Sequence, residues 1–188
     1  TAQQILNCSF SSWYPKFASA TLKSKVIRPL PEEFVAYLNA DGVFLPLDRY
    51  GRSYLWADGD GEDESGEDED SSIPHFPELQ TQIDDAIEEL GGAVFPKLNW
   101  SSPKDASWIA VEGTLKCRTA ADIFLLLKSS DFIAHDLSHA FEDCIAPVES
   151  QAALPARPEA FELVLRKWYA LVPSMEFRCF VRDGEMVG

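Results

Sequence analysis

The apolar positions along the chain change period several times, and each change marks an element. Over residues 77–90, Leu79, Ile83, Ala86, Ile87 and Leu90 recur at three- and four-residue spacing, and Gly91-Gly92 follows as a stop. That is one face of a helix with its terminator. Residues 31–42 (PEEFVAYLNADG) open on proline and two glutamates, favoured at the positive end of a helix dipole, and close on Gly42. They predict a shorter helix. Thr119 and Asp122 have capping-box spacing ahead of the apolar run 123–127, which predicts a third. Residues 22–30, 93–99, 108–111, 161–168 and 176–182 read as strands, and Asp183-Gly184 as a tight hairpin turn into a return strand. Residues 10–17 (FSSWYPKF) are short and aromatic-dense, a segment expected to dock on the core. The alternation of elements gives an α+β fold, and no internal repeat is visible.

Composition agrees with a folded chain. Of 188 residues, 46% are hydrophobic and 12% aromatic, enough to exclude disorder throughout. A chain of this length buries roughly 70% of its unfolded surface, as one sizeable domain or two small lobes. No apolar run approaches the ~18 residues of a membrane span. The start, TAQQILNCSF, lacks a basic-then-apolar leader, so a cytoplasmic location is expected. The four cysteines are far apart and form no C-x-x-C pair, which suits reduced thiols.

Charge changes the picture more. There are 31 acidic and 16 basic residues, a formal net charge of −15. Nine of the carboxylates fall between residues 58 and 70 (DGDGEDESGEDED), and setting them aside leaves 22 against 16, or −6. Residues 57–73 are therefore expected to form a solvated, disordered acidic loop. Such a run can be an extended linker, a docking tail for a basic partner or a calcium loop. Counted from Asp58, the last has Glu69 at its twelfth position but Asp63 where the loop needs its sixth-position Gly. An acidic balance this strong argues against a nucleic-acid duplex or an anionic membrane as partner.

Three clusters carry candidate chemistry. In residues 95–105 (FPKLNWSSPKD), Lys97 sits among apolar strand neighbours and Lys104 in a Ser/Pro loop, so two cations could address one anion. The bland alternative is a snorkelling edge-strand lysine and a solvated turn. In residues 162–168 (ELVLRKW), alternation puts Leu163, Leu165 and Lys167 on one face and Glu162, Val164, Arg166 and Trp168 on the other. The second face could flank a flat aromatic ligand while Arg166 reaches a phosphate, or belong to an ordinary edge strand with a core Trp. In residues 176–180, Glu176, Arg178 and Phe180 share a face directed to a cleft or to water. His135 and His139 are four apart, but without a third ligand they read as a surface pair. No nucleophile elbow supports a hydrolytic triad.

Taken in order, FSSWYP, LKSKVIRPLP, GGAVFPKLNWSSPKDASWIA, LKCRTAADIFLLLKSSDFI, FELVLRKW and EFRCFVRDGEMVG resemble the cell division cycle protein 123 family of eukaryotes. The likeness covers nearly the whole chain outside the acidic insert and the Pro/Ala-rich residues 146–160. It implies an ATP-grasp fold, two lobes with mixed or antiparallel sheets that clamp ATP. Residues 1–160 would form the N-terminal lobe, and 161–188 a hinge strand and the start of a second lobe, incomplete at its C-terminus.

The resemblance further implies an assembly chaperone for eukaryotic translation initiation factor 2. It would bind the γ subunit and promote formation of the heterotrimer, hence translation initiation and cell-cycle progression, with little or no ATP turnover. Nucleotide contacts carry over to Lys97; to Trp100, Ser102, Lys104 and Asp105 in a loop over the phosphates; to Arg166, Lys167 and Trp168 at the hinge; and to Glu176 and Arg178. At Lys104 the family carries Arg or Lys, which keeps the cation but not a fixed bidentate geometry. The family's magnesium ligands lie beyond Gly188, so Mg²⁺ would come with ATP but find no ligands here. The fold alone equally supports an ATP-grasp carboxylate–amine ligase.

Overall fold

The computed structural model describes residues 1–53, 73–145 and 155–188. The acidic run and most of the Pro/Ala-rich stretch lie outside these residues. The chain opens with two short helices, α1 (Ala2–Asn7) and α2 (Phe10–Phe17), followed by strand β1 (Ser24–Ile27) and helix α3 (Glu32–Asn39). Helix α4 (Pro77–Glu89) leads into β2 (Val94–Lys97), and α5 (Ala120–Lys128) is followed at once by α6 (Asp131–Ser138). Strand β3 (Leu163–Lys167) and a hairpin of β4 (Val181–Arg182) and β5 (Glu185–Met186) complete the order.

β1, β3 and β2 form an antiparallel sheet with β3 in the middle. Val26 and Lys97 both lie opposite Val164, while Ser24 and Phe95 lie opposite Arg166. Alternation then divides the sheet into two faces. Ile27, Val94, Leu98, Leu163 and Leu165 enter the main core, against Phe34 of α3, Ile83 and Ile87 of α4, and Ile123, Phe124 and Leu127 of α5. Val26, Phe95, Lys97, Val164 and Arg166 point the other way, towards α2. Helix α2 is the aromatic docking segment: Phe10 is fully buried and packs on Trp13 and Tyr14 with ring centroids 4.7 Å apart.

The predicted helices form where their caps place them. Pro77 opens α4 in its first turn, and Gly91 and Gly92 end it at φ of 96° and 85°, where a Cβ is disfavoured. Thr119 and Asp122 form a complete capping box on α5. Asp183 (φ 51°) and Gly184 (φ 83°) turn the β4–β5 hairpin, as the dipeptide required.

Two strand expectations fail. Residues 108–111 are not a strand: a three-ten helix runs over Lys104–Ile109, Trp108 is 74% exposed and Val111 fully so. Four apolar residues are too few to show a period, and these find no ladder partner among the described residues. In residues 176–182 only Val181–Arg182 pairs, with Glu185–Met186. The hairpin is extended by Phe180 donating to the Gly188 carbonyl and Val187 to that of Phe180. Cys8, Cys117, Cys144 and Cys179 are free thiols. No helix among the described residues is long and apolar enough to cross a membrane.

Candidate functional site

Lys97 closes β2 and Arg166 lies in β3, and the antiparallel register brings both onto the α2 face of the sheet. Both lie against the Phe10 ring. Lys97 Nζ is 5.4 Å from its centroid and Arg166 Cζ 5.6 Å, and Arg166 is also 5.3 Å from the Phe95 centroid. Aromatic faces attract cations at this range and offset part of their desolvation. Arg166 donates from Nη2 to Thr21 Oγ1 at 2.8 Å, but its Nε is buried with no hydrogen-bond partner among the described residues. Such an orphan donor on a buried guanidinium is costly unless a ligand answers it.

The electrostatics match the crowding. Burial, then the neighbouring Arg166 charge, holds Lys97 below the usual lysine range, while Asp136 and Glu162 act in the opposite sense. Burial likewise lowers Arg166, against Tyr14. Two partly dehydrated cations on one sheet face suit an anion with several oxygens.

The remaining residues singled out in the sequence divide between support and open surface. Trp168 extends the pair of aromatics, its ring edge-on to Phe95 at 6.4 Å, and its amide donates to the Ala93 carbonyl. Lys167 is on the opposite, exposed side, where its ammonium would meet a Cβ placed on Gly91 at 3.7 Å. Trp100 donates from its indole to the Ile5 carbonyl at 2.9 Å and so fixes α1 to the loop. The Ser102 carbonyl accepts from the Lys104 amide at 2.8 Å, and the Lys104 side chain is exposed. Asp105 is taken up by α6: it accepts from Ser130 Oγ at 2.6 Å and from the amides of Asp131 and Phe132 at 2.7 and 3.3 Å. Glu176 and Arg178 are exposed, and among the described residues no hydrogen bond or ion pair joins them to Lys97 or Arg166.

Four further residues shape the site. Phe10 supplies the shared ring. Asp136, buried on α6, accepts from the Ser101 amide and hydroxyl at 2.8 Å each, pinning the loop after β2. Burial pushes its carboxyl up, against those hydrogen bonds. Glu162 and Asn99 hold the start of α2, with Ser11 N donating to Glu162 Oε1 and Phe10 N to the Asn99 carbonyl, both at 2.9 Å. Glu162 was visible as an acid on the Arg166 face of an apolar strand. Phe10 was visible only as part of the aromatic docking segment, with nothing to link it to the two cations.

A cleft of about 370 Å³ opens on the Glu162 side, lined by Ser9, Ser11, Arg28, Asn99 and Arg157 among others, but not by Lys97 or Arg166. A wider one, about 550 Å³, holds Lys128, His135 and His139. The two histidine rings are 5.9 Å apart, and His139 Nδ1 meets Glu142 at 3.2 Å. Among the described residues no group of three or more His, Cys, Asp or Glu side chains could hold a metal ion.

The chain is similar along its whole length to several curated proteins. A protein of Schizosaccharomyces pombe named translation initiation factor eIF2 assembly protein is 46% identical over 191 residues, covering 100% of this chain and 56% of that protein. One of the same name from Xenopus tropicalis is 45% identical, covering 99% and 56%. Cell division cycle protein 123 of Candida glabrata is 44% identical, covering 99% and 55%. The chain therefore spans about half the length of the curated relatives it matches. The structure of Cdc123 from Schizosaccharomyces pombe superposes with a TM-score of 0.74 at 42% identity, covering 100% of this chain and 63% of that one. The mixed α+β architecture with antiparallel sheets is thus shared with a solved structure. A family model described as D123 matches residues 13–188, and the chain belongs to the D123 family.

Proposed function

We propose that this chain is part of an ATP-binding assembly factor for eukaryotic translation initiation factor 2, acting on its γ subunit with little or no turnover. The names of the relatives support the assembly role. The observation that carries nucleotide binding is the Lys97–Arg166 pair over Phe10, with Arg166 Nε buried and unanswered among the described residues. A phosphate oxygen fits that donor, and Lys97 supplies a second cation on the same face. Bound ATP would supply a polyanionic chain and a flat base. Lys97 and Arg166 would hold the former, while Phe95 and Trp168 offer an aromatic edge to the latter. Trp100 and Asp105 would support the loop from behind, leaving Ser102 and Lys104 to close over the phosphates.

In this reading the fold is ATP-grasp-like, with Lys167 and Trp168 in the segment that links the lobes and Glu176 and Arg178 at the start of the second. The described residues offer no carboxylate cluster for Mg²⁺. Its ligands would lie outside these 188 residues, and the protein would work in the cytoplasm, apart from nucleic acid and membrane.

Calorimetric titration of the full-length protein with Mg-ATP, with and without the γ subunit, tests this reading. Lys97→Ala and Arg166→Ala are each expected to weaken ATP binding and to impair assembly of the factor together. Unchanged nucleotide affinity in both variants rejects the site. Phosphate release that rises with an added amino acid or peptide replaces the chaperone by a ligase.

A further inference from the structure

We infer that Glu162 is a positioning residue of the Lys97–Arg166 site, fastening Phe10 against the two cations and setting a negative charge near Lys97. The inference rests on the phosphate-binding reading above. Glu162 is only 3% exposed, in a run of apolar residues, and a carboxylate buried there is costly unless it is answered. Its partners belong to the frame of the site. Oε1 accepts from the Ser11 amide at 2.9 Å, and Oε2 lies 3.8 Å from Arg28 Nη1, which itself donates to Ser11 Oγ at 3.1 Å. The Glu162 amide donates to Asn99 Oδ1 at 3.0 Å, and Asn99 Nδ2 to the Ala160 carbonyl at 3.3 Å.

The first amides of a helix have no partner within it. In α2 two of them, from Phe10 and Ser11, end on Asn99 and Glu162, which continue the strands that carry Lys97 and Arg166. The place of the Phe10 ring is therefore set from the same two strands as the cations against it. Because Lys97 lies opposite Val164, Glu162 is also its diagonal neighbour on that face.

The charges acting on Lys97 come from two elements besides its own: Arg166 and Glu162 from β3 and its approach, and Asp136 from α6. Tyr14 of α2 acts on Arg166. Asp136 has both oxygens engaged by Ser101, whereas Glu162 joins the sheet face to α2 directly. Glu162→Gln keeps an acceptor for Ser11 and removes only the charge. Glu162→Ala removes both.

The test is an NMR titration of lysine side chains in the full-length protein, with Lys97 assigned through Lys97→Met, alongside Mg-ATP affinity measured from neutral to alkaline pH. In Glu162→Gln the Lys97 midpoint and the alkaline loss of ATP affinity are both expected to move to lower pH, while the melting temperature stays near wild type. Glu162→Ala is expected to melt well below both. An unmoved Lys97 midpoint in Glu162→Gln overturns the charge role, and equal melting of the two variants overturns the fastening. Should wild-type protein not bind Mg-ATP, the nucleotide reading fails, and the Lys97 titration still decides the role of Glu162.

Discussion

Lys97 and Arg166 come from different strands yet lie at nearly the same distance from one ring, 5.4 and 5.6 Å from the centroid of Phe10. Two like charges so placed repel each other and lose hydration. Three features offset that cost: the aromatic ring they share, the Thr21 hydroxyl on Arg166, and the carboxylates of Asp136 and Glu162 acting on Lys97. A site built for stability alone would have used one cation or none.

Phe10 is thus both core and site. Phe10→Ala is expected to cost about 3–5 kcal/mol, as for other fully buried aromatics. Phe10→Leu should cost much less in packing, since it stays apolar, but it removes the ring shared by the cations, worth roughly 0.5–1 kcal/mol for each. Urea unfolding of both variants separates the contributions. A Phe10→Leu loss no larger than its change in packing accounts for would mean that the ring acts only by volume.

Asp105 ties the loop after β2 to α6 through three hydrogen bonds. Asp105→Ala leaves the first amides of that helix without their acceptor and should destabilise by about 1–2 kcal/mol, the usual effect of losing a helix cap. The denaturation midpoint should fall with an unchanged slope. A stability equal to wild type would return Asp105 to direct ligand contact as its main role.

How much of this was legible in the sequence depends on the range of the interaction. Local signals held: Thr119 with Asp122, Pro77, the paired glycines after α4 and Asp183-Gly184 each act within a few residues of themselves. The two faces of β3 followed from alternation alone. The Trp108 segment was misread because a strand is defined by a partner, and none of the described residues pairs with it. Lys97 and Arg166 could be picked as cations in apolar strands. That they share Phe10 depends on a register and on a helix more than 80 residues away, which no local pattern encodes. Asp105 looked like a ligand for the same reason: its partners lie about 25 residues further on.

Lys128 shows the same long-range economy at the other end of the core. Its ammonium donates to the carbonyls of Tyr37 at 2.6 Å, Leu38 at 3.3 Å and Ala40, closing the C-terminus of α3. It also lies 5.1 and 5.3 Å from the Tyr37 and Phe44 rings. Lys128→Met keeps most of the aliphatic stem and loses the donors, so a loss of about 1–3 kcal/mol is expected. Chemical denaturation checks it, and slower amide exchange in the last turn of α3 than in wild type would contradict it.

Lys97 should reveal a conflict between stability and function. Its ammonium is held below the usual lysine range by burial and by Arg166, so the unfolded chain binds its proton more tightly than the folded one. Below the folded-state value both states are charged and the whole penalty is present. As pH rises from there towards the unfolded value, the native side chain loses its proton first and the penalty disappears. Lys97→Met is therefore expected to melt above wild type at pH 7, with the gap narrowing steadily towards pH 10, while Mg-ATP binding is weakened at every pH. Calorimetric melting across that range decides the matter. A gap that stays constant with pH would assign the gain to packing of the methionine, and a variant less stable than wild type at pH 7 would show that Glu162 and Asp136 more than compensate the lysine charge.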